Sequence, residues 1–344
     1  MDSRRPGRHR QARTRPDKAG YRASDSRTAG MIAPVPPSSS PNTTDVTDRL
    51  ARAALSRILR PDDPHTIALV RRHGAAEIWE RLRHDHPRLD PRRDLDEAER
   101  VGGRIICPGD NEWPASLLAL DQVNHTGPQP APGPPLALWV RGAESLSAAR
   151  RAVAVVGARA ATDYGKYLAG DLGVALAERK WCVISGAAFG IDAAAHRGSL
   201  AGGGPTFAVL AGGIDVPYPA AHAELLDEIA HRGALISEAP PGSPPYRRRL
   251  LARNRIITAL ARGTVIVEAG YRSGALNAAR HARELSKPLM VFPGPVTSAM
   301  SAGCHRLLRD HPENTTLVTG VDDVLQALGL PRPSSQSTGP HARA

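Results

Sequence analysis

The stretch Ala152-Val153-Ala154-Val155-Val156-Gly157-Ala158-Arg159 decides the fold. Its five small or β-branched apolar residues are too few for a buried helix and show no polar alternation, so they predict a strand covered on both faces. Gly157 ends the run, and a helical pattern near 163–179 follows. The unit then recurs. Strands are predicted at Cys182–Ser185, Thr206–Leu210, Ala234–Ser237, Thr264–Glu268, Leu289–Phe292 and Thr316–Thr319. Helical patterns lie between and after them, near 191–201, 220–231, 250–261, 274–286, 303–309 and 321–328. Strand, helix, strand at a spacing of roughly 25–30 residues is the pattern of right-handed βαβ units. The expected class is α/β, a doubly wound parallel sheet.

On the N-terminal side of this region the pattern differs. Leu50, Ala54, Leu55, Ile58 and Leu59 recur at helical spacing, as do Ile67, Ala68 and Val70 and then Ile78, Trp79 and Leu82, so 46–100 reads as a small helical unit. Residues 121–135, with five prolines and two glycines, read as a loop or linker. Residues 1–45 are rich in Arg, Pro, Ser and Thr and too poor in large apolar side chains to offset chain ordering, so they are expected to form a disordered basic tail, with Met31 offering a second start inside it. A second disordered tail is expected at 331–344, and the α/β domain itself at 105–330.

The formal net charge of +11 is unevenly spread. Residues 1–30 carry nine Lys/Arg against three Asp, residues 31–150 fifteen against sixteen, residues 151–330 nineteen against fifteen, and the last fourteen residues two Arg and no acid. More than half of the excess is therefore tail, and only the +4 of 151–330 belongs to the α/β segment. Four Trp, six Tyr and three Phe are too few for a strand-binding surface built from many stacked rings, so a nucleic-acid surface here leans on charge. Cys107, Cys182 and Cys304 fit neither a disulfide framework nor a zinc ribbon, which points to a reducing cytoplasm. No run of 18 apolar residues occurs, and the Arg-rich start is followed by no apolar segment, so neither a membrane span nor secretion is expected.

In a doubly wound sheet the ligand crevice lies beyond the carboxyl ends of the strands. Six segments at those ends carry glycine: Gly157-Ala158-Arg159, Ser185 to Asp192, Ala211 to Asp215, Glu238 to Gly242, Glu268 to Gly274, and Pro293-Gly294-Pro295. Glycine there lets a backbone approach a ligand, and the helix N-terminus behind it offers free N–H groups to an anion. Yet no loop reads G-x-G-x-x-G or G-x-x-x-x-G-K-[ST], so a dinucleotide or nucleoside triphosphate is disfavoured and no cofactor is expected.

Arg159 stands where dinucleotide folds keep a small residue, which suits a phosphodiester held from outside; the alternative is an ion pair with Asp192 or Asp215. Arg253 and Arg255 are two apart and diverge by about 200° on a helix, so both face one groove only if the first precedes the helix. The run Arg247–Arg249 reads equally as a solvated loop. Phe189 either stacks on a base or plugs the core; Tyr218 and Tyr271 are the other strand-end aromatics. Asp192 and His196, four apart, read as a helix-stabilising pair rather than metal ligands. Glu268 is either a base or a loop anchor, and Ser185-Gly186 is no nucleophile elbow. No catalytic set and no metal site emerges.

Taken in order, these loops resemble the DprA/Smf family (DNA-processing protein A). Val153 to Gly165 resembles its opening motif, Ser185 to His196 (SGAAFGIDAAAH) its second signature and Ala208 to Pro219 (AVLAGGIDVPYP) its third. Ile236 to Pro245 with Arg253-Asn254-Arg255-Ile256-Ile257, then Glu268-Ala269, Ser273-Gly274-Ala275-Leu276 and Phe292-Pro293-Gly294, complete the set over about 105–325.

The resemblance implies a Rossmann-like domain that binds single-stranded DNA, forms a homodimer and passes the strand to the RecA recombinase during natural transformation, without catalytic turnover. It implies DNA-facing roles for Gly157, Arg159, Ser185, Gly186, Phe189, Gly190, Gly212, Gly213, Arg253 and Arg255, and a SAM-like module at 46–100. Three departures stand out: Ala278 replaces a threonine, Gly303-Cys304-His305 replaces Gly-x-Asn, and Leu250-Leu251-Ala252 lacks a phenylalanine usual before Arg-Asn-Arg. Only 14 residues follow Leu330, too few for the winged-helix module that some members append. The rivals are a nucleotide phosphoribohydrolase, whose Pro-Gly-Gly-x-Gly-Thr loop is absent from Glu268 to Gly274, and an interaction scaffold with vestigial DNA binding.

Overall fold

The computed structural model describes residues 45–60, 64–123 and 133–331. Its strands are Gly103–Ile106 (β1), Leu138–Arg141 (β2), Ala152–Val156 (β3), Cys182–Ser185 (β4), Thr206–Val209 (β5), Ala234–Ser237 (β6), Gly263–Ile266 (β7), Leu289–Val291 (β8) and Thr315–Leu317 (β9). They form one sheet in the order β1-β2-β6-β5-β4-β3-β7-β8-β9. Neighbours from β6 to β9 run parallel, whereas β2 is antiparallel to both β1 and β6. All seven predicted strands are present. The antiparallel edge is new: Leu138-Trp139-Val140-Arg141 follows two prolines, and its extended form comes from pairing Trp139 with Ile105 and Ser237 rather than from a pattern of its own.

The α-helices are Val46–Ile58 (α1), Pro64–His73 (α2), Ala75–Leu82 (α3), Pro91–Arg100 (α4), Asp163–Glu178 (α5), Ile191–Ala201 (α6), Ala223–Arg232 (α7), Arg247–Ala252 (α8), Asn254–Leu260 (α9), Ala275–Glu284 (α10), Ala302–Asp310 (α11) and Val321–Ala327 (α12). The helix expected at 250–261 is divided into α8 and α9 at Arg253. In β3, Ala152, Ala154 and Val156 pack with α9, α10 and α11, while Val153 and Val155 pack with α5, α6 and α12. Successive side chains of a strand point to opposite faces, and both faces are covered here, so the run needs no polar alternation.

The described residues belong to one compact unit, in which the N-terminal helices share a core with the antiparallel edge. Trp139 of β2 is fully buried beside Ala53 and Ala98, and its Nε1 donates to Ser56 Oγ at 3.2 Å. Apart from Asp45 and Pro331, the tails expected at 1–45 and 331–344 lie outside the described residues, as do 124–132 of the Pro-rich stretch. Among the described residues, no helix is long and apolar enough to cross a membrane.

Candidate functional site

The chain steps outward from β3 to β6 on one side, then returns to place β7 on the other side of β3. Loops leaving β3 and β7 therefore diverge, and this switch point is where an open α/β sheet forms its crevice. A cavity of about 570 Å³ opens between Gly157–Arg159 and Gly270–Gly274, floored by Asp192, Arg253 and Ala278 and walled by Leu250, Leu251 and Met300. A second cavity of about 320 Å³ shares Arg159, Ala188, Leu250 and Arg253 with the first and is walled by Phe189 and Tyr218.

Glu268 ties the two loops together. Its carboxylate accepts the Thr162 amide N–H at 2.9 Å and the Thr162 hydroxyl at 2.6 Å, while its carbonyl accepts the Ala158 N–H at 2.8 Å. Thr162 in turn caps α5 by accepting the Gly165 N–H at 3.2 Å. Of the two sequence readings of Glu268, the loop anchor is the observed one.

Arg159 projects from this scaffold. It is exposed and has no ion pair among the described residues, so the pairing with Asp192 or Asp215 weighed from the sequence does not form. Asp215 instead accepts the Gly242 N–H at 2.9 Å. Beneath Arg159 lies Arg253, only 6% exposed, whose Nη1 donates to the Gly186 carbonyl at 2.5 Å and also to that of Val209. Burial pulls its guanidinium down to about 10, partly offset by the nearby Asp192 carboxylate, so it still carries its charge at neutral pH. Asp192, in the first turn of α6, accepts the Ala188 N–H at 3.3 Å, and burial raises its carboxyl above the usual range against the pull of Arg253.

The ten residues expected to face DNA fall into two sets. Gly157, Arg159, Gly186, Phe189 and Arg253 line one or both cavities. Gly186 is glycine because a Cβ would strike the Arg253 guanidinium. Ser185, Gly190, Gly212, Gly213 and Arg255 line neither. Ser185 is fully buried and donates to the Val155 carbonyl at 2.6 Å, tying β4 to β3. Gly190 opens α6 at φ +79°, where a side chain would also hit the Ala158 and Arg159 carbonyls. Gly212 and Gly213 are packed under the Pro240–Pro245 loop, the Gly213 N–H donating to the Ser243 carbonyl at 2.9 Å.

Arg255 is 1% exposed and forms a two-pronged ion pair with Glu238 (2.6 and 2.5 Å), with Nε donating to the Gly133 carbonyl. It points away from Arg253, as two residues of spacing on a helical path demand.

Phe189 is 47% exposed, with its ring set edge-on to His222 at 4.7 Å, so it is not a core plug. Asp192 and His196 do not pair; His196 Nδ1 meets Thr206 Oγ1 at 2.7 Å instead. Among the residues that sequence reasoning did not single out as site residues are Tyr271, Arg272, Leu250, Leu251 and Met300. The signal for Tyr271 was its position in the loop after β7. Ala278, where the family resemblance expects threonine, is in the cavity floor, so the missing hydroxyl is missing from the crevice itself. Cys304 is buried with its thiol pushed up to about 12, and no group of three or more potential metal ligands occurs among the described residues. The chemistry on offer is anion binding: two exposed cations with no ion pair among the described residues, Arg159 and Arg272, a third cation, Arg253, buried below, and apolar and aromatic walls.

Residues 104–329 match the family described as DNA recombination-mediator protein A. A Mycobacterium tuberculosis (strain H37Rv) protein that carries the DNA processing protein DprA name is 47% identical over 293 residues, 81% of this chain and 75% of that protein. The X-ray structure of DNA processing protein A from Streptococcus pneumoniae superposes with a TM-score of 0.67 at 27% identity, covering 83% of this chain and 98% of that one. DNA processing protein A from Helicobacter pylori, described for its single-stranded DNA binding mode, superposes with a TM-score of 0.54 at 27% identity, covering 63% and 92%.

Proposed function

Because the chain belongs to the DNA recombination-mediator protein A family, we propose that its switch-point crevice binds single-stranded DNA, shields the strand, and hands it to the RecA recombinase during natural transformation. In this reading the protein acts in the cytoplasm as a homodimer, without turnover. The observation that carries it is Arg159, an exposed guanidinium with no ion pair, set between two cavities large enough for bases. A charge-assisted contact from Arg159 to a phosphate would position the strand without reading its sequence, so binding is sequence-tolerant. The phosphoribohydrolase reading needs a glutamate free to act, and both oxygens of the Glu268 carboxylate are engaged by Thr162.

The test is equilibrium binding of fluorescent single-stranded and duplex oligonucleotides over a salt series, on the full chain and on a chain begun at Asp45. The shorter chain removes the basic tail, which alone attracts any polyanion. The expected result is preference for single strands by both chains, with affinity falling steeply with salt. Equal affinity for duplex, insensitive to salt, would overturn the proposal.

A further inference from the structure

Tyr271 stands at the rim of the larger cavity on the loop after β7, across β3 from the β4 loop that carries Phe189. It is 61% exposed, so one face of its ring is open to a ligand. Arg306 of α11 packs on it, with its guanidinium carbon over the ring at 4.7 Å. Tyr271 lines the cavity and Arg306 does not, so the cation takes up one face of the ring without itself lining the crevice. We propose that Tyr271, backed by Arg306, is a base-stacking platform, and that a nucleobase of a strand crossing Arg159 lies in the larger cavity against this ring. The proposal rests on the single-strand reading of the crevice and adds to it a place where a base is gripped.

A cation over one face of an aromatic ring is attracted by the ring quadrupole and anchors it, which reduces the ordering cost of stacking a base on the other side. The cavity is wide enough for a base, and its lining offers the apolar Leu251 and Met300 for a base and the exposed Arg272, next to Tyr271 in the chain, for a phosphate. Leu251 also occupies the segment where the family resemblance expects a phenylalanine, so this chain lacks one aromatic platform and supplies another from across the crevice.

The test compares two probes of equal charge, a short oligothymidylate and an oligomer of the same length with abasic sugars throughout, binding to the full chain. Tyr271→Ala is expected to weaken the thymidylate about fivefold to a hundredfold, the range for removal of a stacking aromatic, and to leave the abasic strand unchanged. Tyr271→Phe, which keeps the ring face, binds both as the wild type does. Arg306→Met lowers thymidylate affinity by less than Tyr271→Ala does. Arg159→Ala weakens both probes equally, because it acts on the phosphate. If Arg159→Ala weakens both while Tyr271→Ala affects neither, or affects both alike, the platform is wrong and the crevice stands. If none of these variants changes binding, both are wrong. Tyr271 is exposed, and thermal melting of each variant verifies that the fold is retained.

Discussion

Arginine does opposite work in two regions of this molecule. Along the seam between the N-terminal helices and the sheet, each guanidinium meets a carboxylate: Arg49 with Asp110 at 2.8 Å, Arg57 with Asp94 at 2.6 Å, Arg104 with Glu112 at 2.8 Å, and Arg255 with Glu238 at 2.5 Å. Several add a carbonyl, as Arg57 does to Pro241 and Arg49 to Ile105. At the switch-point crevice Arg159 has no ion pair, and Arg253 is bonded to carbonyls with Asp192 nearby. The seam uses its cations to hold elements together, whereas the crevice leaves Arg159 and Arg272 without an ion pair among the described residues. Net charge cannot distinguish the two uses, because what decides is where the acids fall.

The largest expected effect is at Arg255. Replacing it with methionine leaves Glu238 partly buried without its partner, and the expected loss is about 3–5 kcal/mol in denaturant unfolding. Strand affinity per folded molecule should stay near that of the wild type. Changing Glu238 to leucine at the same time should recover much of the loss, since a matched apolar pair often replaces a buried ion pair at little cost. A large drop in affinity with stability intact would place Arg255 in the crevice after all.

Next in size is a pH effect below the crevice. Thr206 Oγ1 donates to the Val183 carbonyl at 2.9 Å, so it accepts from His196 Nδ1–H, and Nε2 is left buried without a partner. Burial holds the imidazole down to about 3. The unfolded chain takes up this proton near pH 6.5 and the folded chain does not until about pH 3, so the unfolded state binds more protons in between. The contribution is therefore harmless above about pH 6.5 and destabilises as pH falls towards 3, by up to about 2 kcal/mol at pH 5. His196→Leu should lose less stability than the wild type between neutral pH and pH 5, as read by thermal melting. Equal losses would show that His196 protonates freely in the fold.

Phe189 sharpens the contrast within the crevice itself. Phe189→Ala should weaken single-strand binding by about 1–3 kcal/mol while leaving the salt slope unchanged, because a ring contributes contact and not charge. A changed slope would mean that the substitution disturbs Arg159, whose carbonyl lies close to Gly190 in the same loop.

Much of the sheet was legible because a parallel strand buried on both faces writes itself as a short apolar run, as Ala152–Val156 does. The antiparallel edge was not, since Leu138–Arg141 owes its form to its partners and to Trp139 packing on α1. The crevice loops were legible from their glycines, but glycine does not say whether it serves a ligand or a neighbour. Gly186 makes room for Arg253 at a cavity, whereas Gly212 and Gly213 make room for the Pro240–Pro245 loop. Arg253 and Arg255 were separable by helical geometry, yet which one turned inward depended on Glu238, 17 residues away in sequence, and on no local pattern.

The most direct test of the account is the salt dependence of single-strand affinity for Arg159→Ala in a chain begun at Asp45, where the basic tail contributes nothing. The expected result is affinity lower by about 1–3 kcal/mol, a log–log salt slope smaller by about one unit, and a melting temperature like that of the parent. Unchanged affinity with an unchanged slope would contradict it and move the binding surface away from the switch point.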